Sequence, residues 1–580
     1  MQVLNSLNPL PADAAFDLVV IGAGGAGMAA ALFAALDGKQ VLLVERTAFV
    51  GGTTAWSAGT TWVPGTHHAA KVNPGDTLAD AARYLTNAIG ERTPAALRQA
   101  FLDHGAAAIR QIEDRSEVKF RPYPKHPDYI SDLGGSTLAG RALEPVPFDG
   151  RLLGDLFKLV RPPIPEFTVL GGMMVDRTDI NHLLALTKSF ASFKHSLRII
   201  ARHGLDRLSH PRGTRLVMGN ALVARLLYSL SKQAGVTLVL NTSVERFERD
   251  GAGVTGVVLK GQGAASGDTR MVTARGGVVL ASGGFNRHPD LRARMLPGAD
   301  IAWCPAAPGH TAEAHALAQD AGAVYGQGAL SNAFWAPVSL RKRADGSTAV
   351  FPHFVMDRAK PGMLTVNKRG ERFVNESTSY HLFGMAMQAT GSVPAWLVCD
   401  ATALKTYGIG MVRPGASPQD LAPFLADGYL TQGATLDELA HKLGIDAAGL
   451  KASVDEINRC ADTGVDPRFH RGETAYQQNI GDATAGTKNP NLGPLKTAPY
   501  FAVQLHPGDI GAATGFATDA DARVLDAQGQ PIAGLYAVGN DMHSIMGGVY
   551  TAPGITIGPG LVFGYLAARH AGARSAVAVP

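Results

Sequence analysis

A glycine-rich turn near the start of the chain restricts the fold more than any other feature. Residues 17–21 form an apolar run, DLVVI, that is typical of a buried parallel strand. Gly22, Gly24, Gly25 and Gly27 come directly after it, followed by a helical stretch and a second apolar run, VLLVE. This order of strand, turn, helix and strand predicts a parallel βαβ unit and therefore an α/β fold.

Each part of this unit has a physical role in binding a dinucleotide. Gly22 permits the tight turn, Gly24 lets the backbone approach a pyrophosphate, and Gly27 lets the helix pack closely on the strand. The helix N-terminus presents its positive dipole end to the phosphates. Glu45 ends the second apolar run, where its carboxylate can accept a hydrogen bond from a ribose hydroxyl. We therefore predict a dinucleotide site at this turn.

The same glycine spacing occurs again from Gly251 to Gly256, but its surroundings are different. Short strand-like runs lie on both sides, and no helix follows. We therefore predict a hairpin turn here rather than a second nucleotide site.

Length and composition exclude several classes of protein. The 580 residues are too many for one compact core, which predicts two or more domains. The 3 cysteines are far apart, so we expect no disulfide framework and no metal site, and a net charge of +4 does not indicate a nucleic-acid partner. The first residues carry no export signal, and the two longest uncharged stretches are too rich in glycine to span a membrane. The expected location is cytoplasmic.

The residues after Glu45 favour FAD over NAD. The run from Arg46 to Gly59 is rich in small residues, which would let a further bulky part of the cofactor approach the backbone. Residues 534–541 predict a strand that ends in glycine, and a helical stretch follows soon after. Together with the strand at residues 276–285, these segments resemble the flavoprotein family of fumarate reductases and 3-ketosteroid dehydrogenases.

The resemblance implies a Rossmann-type FAD-binding domain whose C-terminal segment returns to the N-terminal sheet and closes over the isoalloxazine ring. It also implies the residues that contact FAD, which are Gly22, Gly24, Gly25, Gly27, Glu45, Arg46, Gly52, Thr53, Thr54, Ser57, Gly59, Val244, Ser282, Gly283, Gly539, Asn540, Gly554 and Thr556.

Three tyrosine-bearing segments indicate the branch of the family. The segment that ends in Tyr380 resembles the one carrying the catalytic tyrosine of 3-ketosteroid Δ1-dehydrogenases, and Tyr550 to Gly554 resembles their ketone-binding turn. The segment around Tyr129 resembles the one with the supporting tyrosine, although Tyr123 nearby remains an alternative. Where steroid enzymes often have Tyr-Pro-Gly-Pro-Gly, this chain has Tyr-Thr-Ala-Pro-Gly, which leaves the shape of the pocket open.

The resemblance implies a chemistry for these residue types. Removal of hydrogens from carbons 1 and 2 of a 3-ketosteroid requires a hydride acceptor, which is the flavin, and a base. Tyr380 is the expected base, and Tyr129 is expected to assist it through a hydrogen bond. The Tyr550 hydroxyl and the Gly554 N–H are expected to stabilise the ketone oxygen as it gains negative charge.

Two other functions remain open at this point. A flavin-dependent enoate reductase of the fumarate-reductase type would need cations to hold a carboxylate, and Arg372 lies near Tyr380 in the sequence. His506 and His543 lie near the cofactor end, where such reductases use histidine. A non-catalytic flavin-binding subunit would not need the tyrosines at all.

The expected architecture is α/β with an α+β second domain. Residues 1–298 and 492–580 are expected to form a discontinuous FAD-binding domain, and residues 299–491 the inserted catalytic domain, with helices around residues 435–462.

A basic, amphipathic insertion at about residues 150–215 is not needed for nucleotide binding. At helical spacing Phe190, Phe193, Leu197 and Ile200 share one face, and basic side chains lie on an adjoining face. The pattern predicts either an interfacial helix on an anionic membrane or a surface helix packed on the protein by its apolar stripe. The expected partners are thus a 3-ketosteroid, a quinone or other electron acceptor, and in the first case the membrane.

Overall fold

The computed structural model describes residues 1–251, 253–263 and 267–577. Its strands are β1 (Gln2–Leu4), β2 (Ala15–Ile21), β3 (Val41–Val44), β4 (Thr61–Trp62), β5 (Phe120–Pro122), β6 (Ala142–Pro145), β7 (Phe148–Asp149), β8 (Thr168–Val169), β9 (Met173–Met174), β10 (Arg215–Leu216), β11 (Val236–Val239), β12 (Thr242–Asp250), β13 (Gly253–Gly261), β14 (Thr269–Leu280), β15 (Ala333–Lys342), β16 (Thr348–Pro352), β17 (Met363–Val366), β18 (Ala395–Asp400), β19 (Thr431–Gly433), β20 (Tyr500–Ala512), β21 (Arg523–Leu525) and β22 (Pro531–Ala537).

The helices connect and cover these strands. They are α1 (Gly25–Leu36), α2 (Ala69–Val72), α3 (Leu78–Ile89), α4 (Ala95–Arg115), α5 (Arg177–Leu184), α6 (Phe190–Asp206), α7 (Met218–Ser231), α8 (Pro289–Met295), α9 (Glu313–Asp320), α10 (Tyr380–Ala389), α11 (Ala401–Tyr407), α12 (Pro418–Ala426), α13 (Leu436–Leu443), α14 (Ala447–Thr463), α15 (Ala475–Ile480) and α16 (Ile557–Val577).

The larger sheet carries the predicted βαβ unit. Its strands lie in the order β1-β11-β3-β2-β14-β13-β12, and β22 pairs with β14. The pairs from β1 to β14 and the β14–β22 pair are parallel, whereas β12, β13 and β14 pair antiparallel. Helix α1 connects the parallel neighbours β2 and β3, so the α/β prediction is confirmed. The second glycine motif joins β12 to β13 as the predicted hairpin, except for Ala252, which lies outside the described residues.

The smaller sheet is antiparallel and has the order β16-β15-β20-β18-β17, with β19 on β20. Helices α13 and α14 lie where helices were expected around residues 435–462. Strand β20 pairs with both β15 and β18, although the sequence analysis assigned residues 492–580 to the FAD-binding domain. Residues 500–512 therefore lie in the second sheet, and the other domain boundaries remain a prediction.

The last helix returns to the first one. Gly560 and Gly564 of α16 lie directly on Ala26 and Ala30 of α1, where a Cβ atom would come within 3.1–3.5 Å of these alanines. Because Gly560 and Gly564 have no side chains, the two helices from opposite ends of the chain can pack closely. Helix α1 is buried over most of its length, and α16 is buried from Gly560 to Ala568.

Helix α6 in the insertion has its apolar stripe on the outside. Phe190 is 80% exposed, Phe193 47% and Leu197 54%, whereas Ile200 is half-buried. The side of α6 that packs on the protein is formed by Ser192, Ser196, Ile199, His203 and Asp206. Its polar groups are satisfied there, since Asp206 accepts the Thr214 N–H at 2.7 Å. The interpretation that the Phe/Leu stripe packs this helix on the protein is therefore wrong. Over the described ranges, no helix is both long and apolar enough to cross a membrane.

Candidate active site

One large cavity, with a volume of about 620 Å³, joins the glycine-rich turn to the tyrosine segments. Of the residues that sequence analysis predicted to contact FAD, only Gly27 lies off its wall. The predicted residues on the wall are Gly22, Gly24, Gly25, Glu45, Arg46, Gly52, Thr53, Thr54, Ser57, Gly59, Val244, Ser282, Gly283, Gly539, Asn540, Gly554, Thr556, Tyr129, Tyr380 and Tyr550.

The glycines of the turn have the geometry that a pyrophosphate needs. Gly22 has φ +106°, which favours glycine, and a Cβ atom on Gly27 would overlap the Gly22 carbonyl oxygen. A Cβ on Gly24 would contact no protein atom within 4 Å, although Gly24 lines the cavity. Helix α1 begins at Gly25, so its N-terminus faces this open space. These residues fit the phosphates of FAD.

Glu45 is held by backbone and side-chain hydrogen bonds at the end of β3. Its Oε2 accepts the Ala23 N–H at 3.0 Å, and its Oε1 accepts the Thr47 N–H and hydroxyl at 2.9 and 2.8 Å. Arg46 next to it forms an ion pair with Glu313 and donates to the Thr311 hydroxyl at 2.7 Å. The carboxylate is thus fixed in the wall of the cavity, in position for a ribose.

His310 was not predicted from the sequence; it contacts the loop of small residues that runs from Arg46 to Gly59. Its Nε2 is 3.1 Å from the Thr53 hydroxyl, which also accepts the Ala307 N–H at 2.8 Å. A Cβ atom on Gly283 would come within 2.7 Å of the His310 ring, so the glycine makes room for the imidazole. Burial lowers the pKa of His310 to about 4, which keeps the ring neutral at pH 7. No motif marks this residue in the sequence.

Asp541 ties two cofactor-binding loops together and was also missed. Its carboxylate accepts the Ser282 hydroxyl and N–H and, at 2.8 Å, the Gly284 N–H. His315 Nε2 lies 2.9 Å from Asp541 Oδ1. Burial opposes the charge, but His315 and the hydrogen bonds from Ser282 hold the pKa of Asp541 below its usual value. The ends of β14 and β22 are therefore fixed relative to each other.

The three predicted tyrosines meet at the other end of the cavity. The Tyr129 hydroxyl donates to the Tyr380 hydroxyl at 3.1 Å, and their ring centroids are 5.5 Å apart. The Tyr550 ring centroid lies 5.0 Å from that of Tyr380 and 5.7 Å from that of Tyr129. Phe354 and Phe334 pack edge-on against Tyr380 and Tyr550. Segments more than 160 residues apart thus form one buried cluster of hydroxyls.

Burial controls the ionisation of this cluster. It raises the pKa of Tyr129 and of Tyr380 well above the usual value of a phenol. Burial also raises the pKa of Tyr550, an effect that hydrogen bonds with Tyr380 and Thr556 oppose. All three phenols are therefore protonated at neutral pH in the unliganded protein.

The turn after Tyr550 presents a second donor. Gly554 has φ +90°, and a Cβ atom there would collide with the Thr60 carbonyl group. Its carbonyl oxygen accepts the Trp62 and Gly558 N–H groups, while its own N–H donates to no acceptor in the part of the chain that the structure describes. Tyr550 and Gly554 therefore provide two donors on the wall of the same cavity.

The geometry separates Tyr129 from the alternative, Tyr123. Tyr123 also lines the cavity, but its ring packs on His126 and its hydroxyl is directed to Glu144. Only Tyr129 of these two contacts Tyr380. Of the two, Tyr129 is therefore the one that is hydrogen-bonded to Tyr380.

The histidines near the cofactor end lie outside this cluster. His506 lies in β20 of the smaller sheet and stacks on Trp303. His543 is buried, and neither of its ring nitrogens has a hydrogen-bond partner among the described residues. Burial lowers the pKa of His543 to about 4. Neither residue lines the large cavity.

Arg372, the cation considered for a carboxylate substrate, is committed to the protein interior. It is 1% exposed and forms ion pairs with Glu376 at 2.9 Å and Asp466 at 2.6 Å. Glu376 also pairs with Arg471 at 3.1 Å. Arg372 does not line the cavity, so it is not placed to hold the substrate of an enoate reductase.

A cluster elsewhere brings three ligand-type side chains together. The Nε2 atoms of His68 and His67 lie 2.8 and 3.2 Å from Glu113 Oε2, at the start of α2 and along α4. Sequence analysis predicted no metal and did not detect the cluster, because Glu113 is 45 residues from His68. These residues are outside the large cavity, and the absence of a metal remains a prediction.

Comparison with known proteins identifies the family. The family model described as an FAD binding domain matches residues 17–557. A 4-oxocyclohex-2-ene-1-carboxylate 5-dehydrogenase from Sinomonas cyclohexanicum is 38% identical, over 96% of this chain and 93% of that protein. A 3-oxosteroid 1-dehydrogenase from Mycolicibacterium smegmatis is 34% identical, over 97% and 98% of the two chains.

A solved structure agrees with these sequences. The crystal structure of the 3-ketosteroid delta1-dehydrogenase from Sterolibacterium denitrificans, in complex with 1,4-androstadiene-3,17-dione, matches with a TM-score of 0.89. It is 34% identical and covers 96% of this chain and 99% of that chain. The protein therefore belongs to the FAD-binding flavoprotein family that includes the 3-oxosteroid 1-dehydrogenases, and its cofactor is FAD.

Proposed function

We propose that this protein is an FAD-dependent 3-oxosteroid 1-dehydrogenase, which introduces the 1,2 double bond into ring A of a 3-ketosteroid. The observation that carries the proposal is the cluster of Tyr129, Tyr380 and Tyr550 in the same cavity as the glycine-rich turn. The relatives named above include enzymes with this activity at 34% identity over almost the whole chain.

The ketone oxygen binds between two donors. The Tyr550 hydroxyl and the Gly554 N–H donate to it, and both bonds strengthen as the oxygen gains enolate character. Because these donors lie in a buried, water-poor site, they stabilise the developing charge more than water would. When bound, FAD supplies the oxidant that accepts the hydride from carbon 1.

In its phenolate form, Tyr380 takes the proton from carbon 2, which the neighbouring ketone makes acidic. The Tyr129 hydroxyl donates to the Tyr380 oxygen and stabilises its phenolate form. Phe354 and Phe334 pack around the phenols and exclude water from them. The predicted FAD-binding residues on the cavity wall would hold the cofactor against this site. They lie between Gly22 and Gly59, at Val244, at Ser282 and Gly283, and between Gly539 and Thr556.

An anaerobic visible spectrum tests the proposal. Addition of a 3-ketosteroid with a saturated ring A should bleach the oxidised flavin band and give the 1,2-unsaturated product. The variant Tyr380→Phe should bind the steroid and leave the flavin oxidised. Flavin that stays oxidised in the wild type with several 3-ketosteroids contradicts the proposed activity.

A second candidate is dehydrogenation of a 4-oxocyclohexanecarboxylate. It is favoured by the relative that is 38% identical and acts on 4-oxocyclohex-2-ene-1-carboxylate. The chemistry at the two donors and Tyr380 would be the same, because both substrates are ring ketones. Faster flavin reduction by the small acid than by any 3-ketosteroid would favour this candidate.

We also propose that helix α6 rests on an anionic membrane surface. Its exposed apolar stripe is continued by Leu205 and Leu208, which are 69% and 83% exposed. Lys188, Lys194 and Arg198 are exposed on and beside the same helix. Exposed apolar side chains flanked by cations are typical of a helix that lies in the interface of an anionic bilayer. This position would bring the cavity close to lipid-soluble ketones and to a quinone acceptor.

Flotation with liposomes tests the membrane contact. The wild-type protein should float with vesicles that contain anionic lipid and remain behind with neutral vesicles. The variant Phe190→Ser/Leu208→Ser should lose retention, whereas Leu138→Ser, which alters an exposed leucine away from α6, should keep it. Equal retention of all three proteins contradicts the assignment.

A further inference from the structure

The outer part of the cavity carries two cations that the proposed reaction does not use. Arg177 begins α5, is exposed, and has no ion pair or side-chain hydrogen bond within the described chain. Lys360 is half-buried, and its Nζ donates to the Ile480 and Gly481 carbonyl groups at 2.8 and 2.7 Å. Both side chains line the same cavity as Tyr380 and Tyr550.

Arg177 and Lys360 are close enough to repel each other. Burial, and to a smaller extent the charge of Arg177, lowers the pKa of Lys360 to about 8, while Asp482 acts in the opposite direction. Asp482 itself accepts hydrogen bonds from Thr484 and Tyr407 and does not line the cavity. With a pKa of about 8, Lys360 is mostly protonated at pH 7, and an anion beside it and Arg177 would relieve the repulsion.

The carboxylates on the cavity wall are all paired with other groups. Asp176 caps α5 and lies 3.6 and 3.8 Å from Arg121 and Arg215. Asp357 accepts from His353 at 2.6 Å and from the Gly410 N–H at 2.9 Å.

The other two carboxylates lie at the nucleotide end of the cavity. Glu45 is hydrogen-bonded to Ala23 and Thr47, and Glu313 is paired with Arg46. Among the described residues, no carboxylate on the cavity wall therefore forms an ion pair with Arg177 or Lys360, although the charge of Asp357 acts on Lys360.

We infer that the substrate pocket accepts a 3-ketosteroid whose side chain ends in a carboxylate, and that Arg177 and Lys360 bind this carboxylate. This inference rests on the proposed function and specifies its substrate class. The ketone must reach fully buried tyrosines, whereas Arg177 is exposed at the rim. A substrate that touches both therefore extends from the buried tyrosines to the exposed Arg177, as a steroid with its side chain would.

The experiment compares a 3-oxo-1,4-choladienoic acid with its neutral methyl ester, because a ligand that already carries the 1,2 double bond cannot reduce the flavin. Dissociation constants are measured from the change in the flavin spectrum of the oxidised holoenzyme, separately from turnover. The wild type should bind the acid at least about tenfold more tightly than the ester, as expected for a charge-assisted hydrogen bond in a partly buried site. Arg177→Gln and Lys360→Met should each reduce this preference.

Arg110→Gln is the matched control, since Arg110 is exposed on α4 and does not line the cavity. This control should keep the preference for the acid. In the wild type, added salt should weaken binding of the acid more than binding of the ester. Equal affinity for acid and ester in the wild type, or an unchanged preference in Arg177→Gln, overturns the inference. Because binding is measured without turnover, a failure of the dehydrogenase activity is detected separately. If Arg177→Gln loses affinity for 4-oxocyclohexanecarboxylate and not for the steroid acid, the assigned substrate length is wrong.

Discussion

Replacement of Tyr129 by phenylalanine isolates the hydrogen bond on which the proposed base depends. The Tyr129 ring packs on Tyr550 and Tyr476, with centroids 5.7 and 4.6 Å away, and phenylalanine keeps these contacts. The change removes only the hydroxyl that donates to Tyr380 at 3.1 Å. The fold and the affinity for FAD should therefore be preserved.

The expected magnitude follows from the charge that the bond stabilises. A hydrogen bond to a charged group contributes about 1.5–3 kcal/mol. The bond matters most when Tyr380 is a phenolate, because Tyr380 then has no proton to donate and Tyr129 must be the donor of this bond. Its loss should raise the barrier to proton removal by that amount, which slows flavin reduction about tenfold to a hundredfold.

Anaerobic stopped-flow measurement of flavin reduction at saturating steroid gives the rate directly. Tyr123→Phe is the comparison, because Tyr123 lines the same cavity without contacting Tyr380. It should reduce flavin within about threefold of the wild-type rate, since it leaves the Tyr129–Tyr380 bond intact. A Tyr129→Phe enzyme as fast as the wild type, or a Tyr123→Phe enzyme that is the slower of the two, refutes the reasoning.

Three further predictions concern pH, FAD binding and stability. Because burial raises the pKa of Tyr380 above its usual value, the rate of flavin reduction should keep rising with pH through the usual pKa of a phenol, about 10, and a plateau near neutrality would contradict a tyrosine base. Gly24→Ala should weaken FAD binding and leave the melting temperature of the FAD-free protein unchanged, whereas Gly27→Ala should lower both the FAD affinity and the melting temperature, since its Cβ overlaps the Gly22 carbonyl. Flavin absorbance after desalting measures FAD binding, and thermal melts measure stability. Equal effects of the two variants would refute the distinction between these glycines. Arg372→Met should reduce the free energy of unfolding by about 3–5 kcal/mol in a denaturant titration, because Glu376 and Asp466 lose their shared buried partner, and a neutral effect would show that the charges are not buried.

The parts of the site that depend on local geometry could be predicted from the sequence. The roles of Gly22 and Gly27 follow from backbone conformation and close packing, which depend only on neighbouring residues. The tyrosine segments could be placed because each resembles a known segment. Their approach to one another, and the choice of Tyr129 over Tyr123, depended on how distant strands are arranged and became clear only in the structure.

Other features depend on contacts that leave no local pattern. His310 and Asp541 bind groups from distant loops. His310 lies in no motif, and the glycine-ended segment that contains Asp541 does not indicate its distant partner Ser282. The pairing of β20 with β15 and β18 could not be predicted, because pairing partners cannot be read from a strand's own residues. For α6, the hydrophobic pattern correctly located the helix but not its orientation, since Asp206 and His203 find buried partners on the protein.

The packing of α16 on α1 has a consequence for synthesis in the cell. The wall of the cofactor cavity includes Gly539 to Ile557, and the helix that follows covers the first βαβ unit. A nascent chain therefore lacks one side of the nucleotide site until this late segment has left the ribosome. Flavin loading then has to follow translation, and a prematurely terminated chain would expose the alanine-rich surface of α1 to chaperones and proteases.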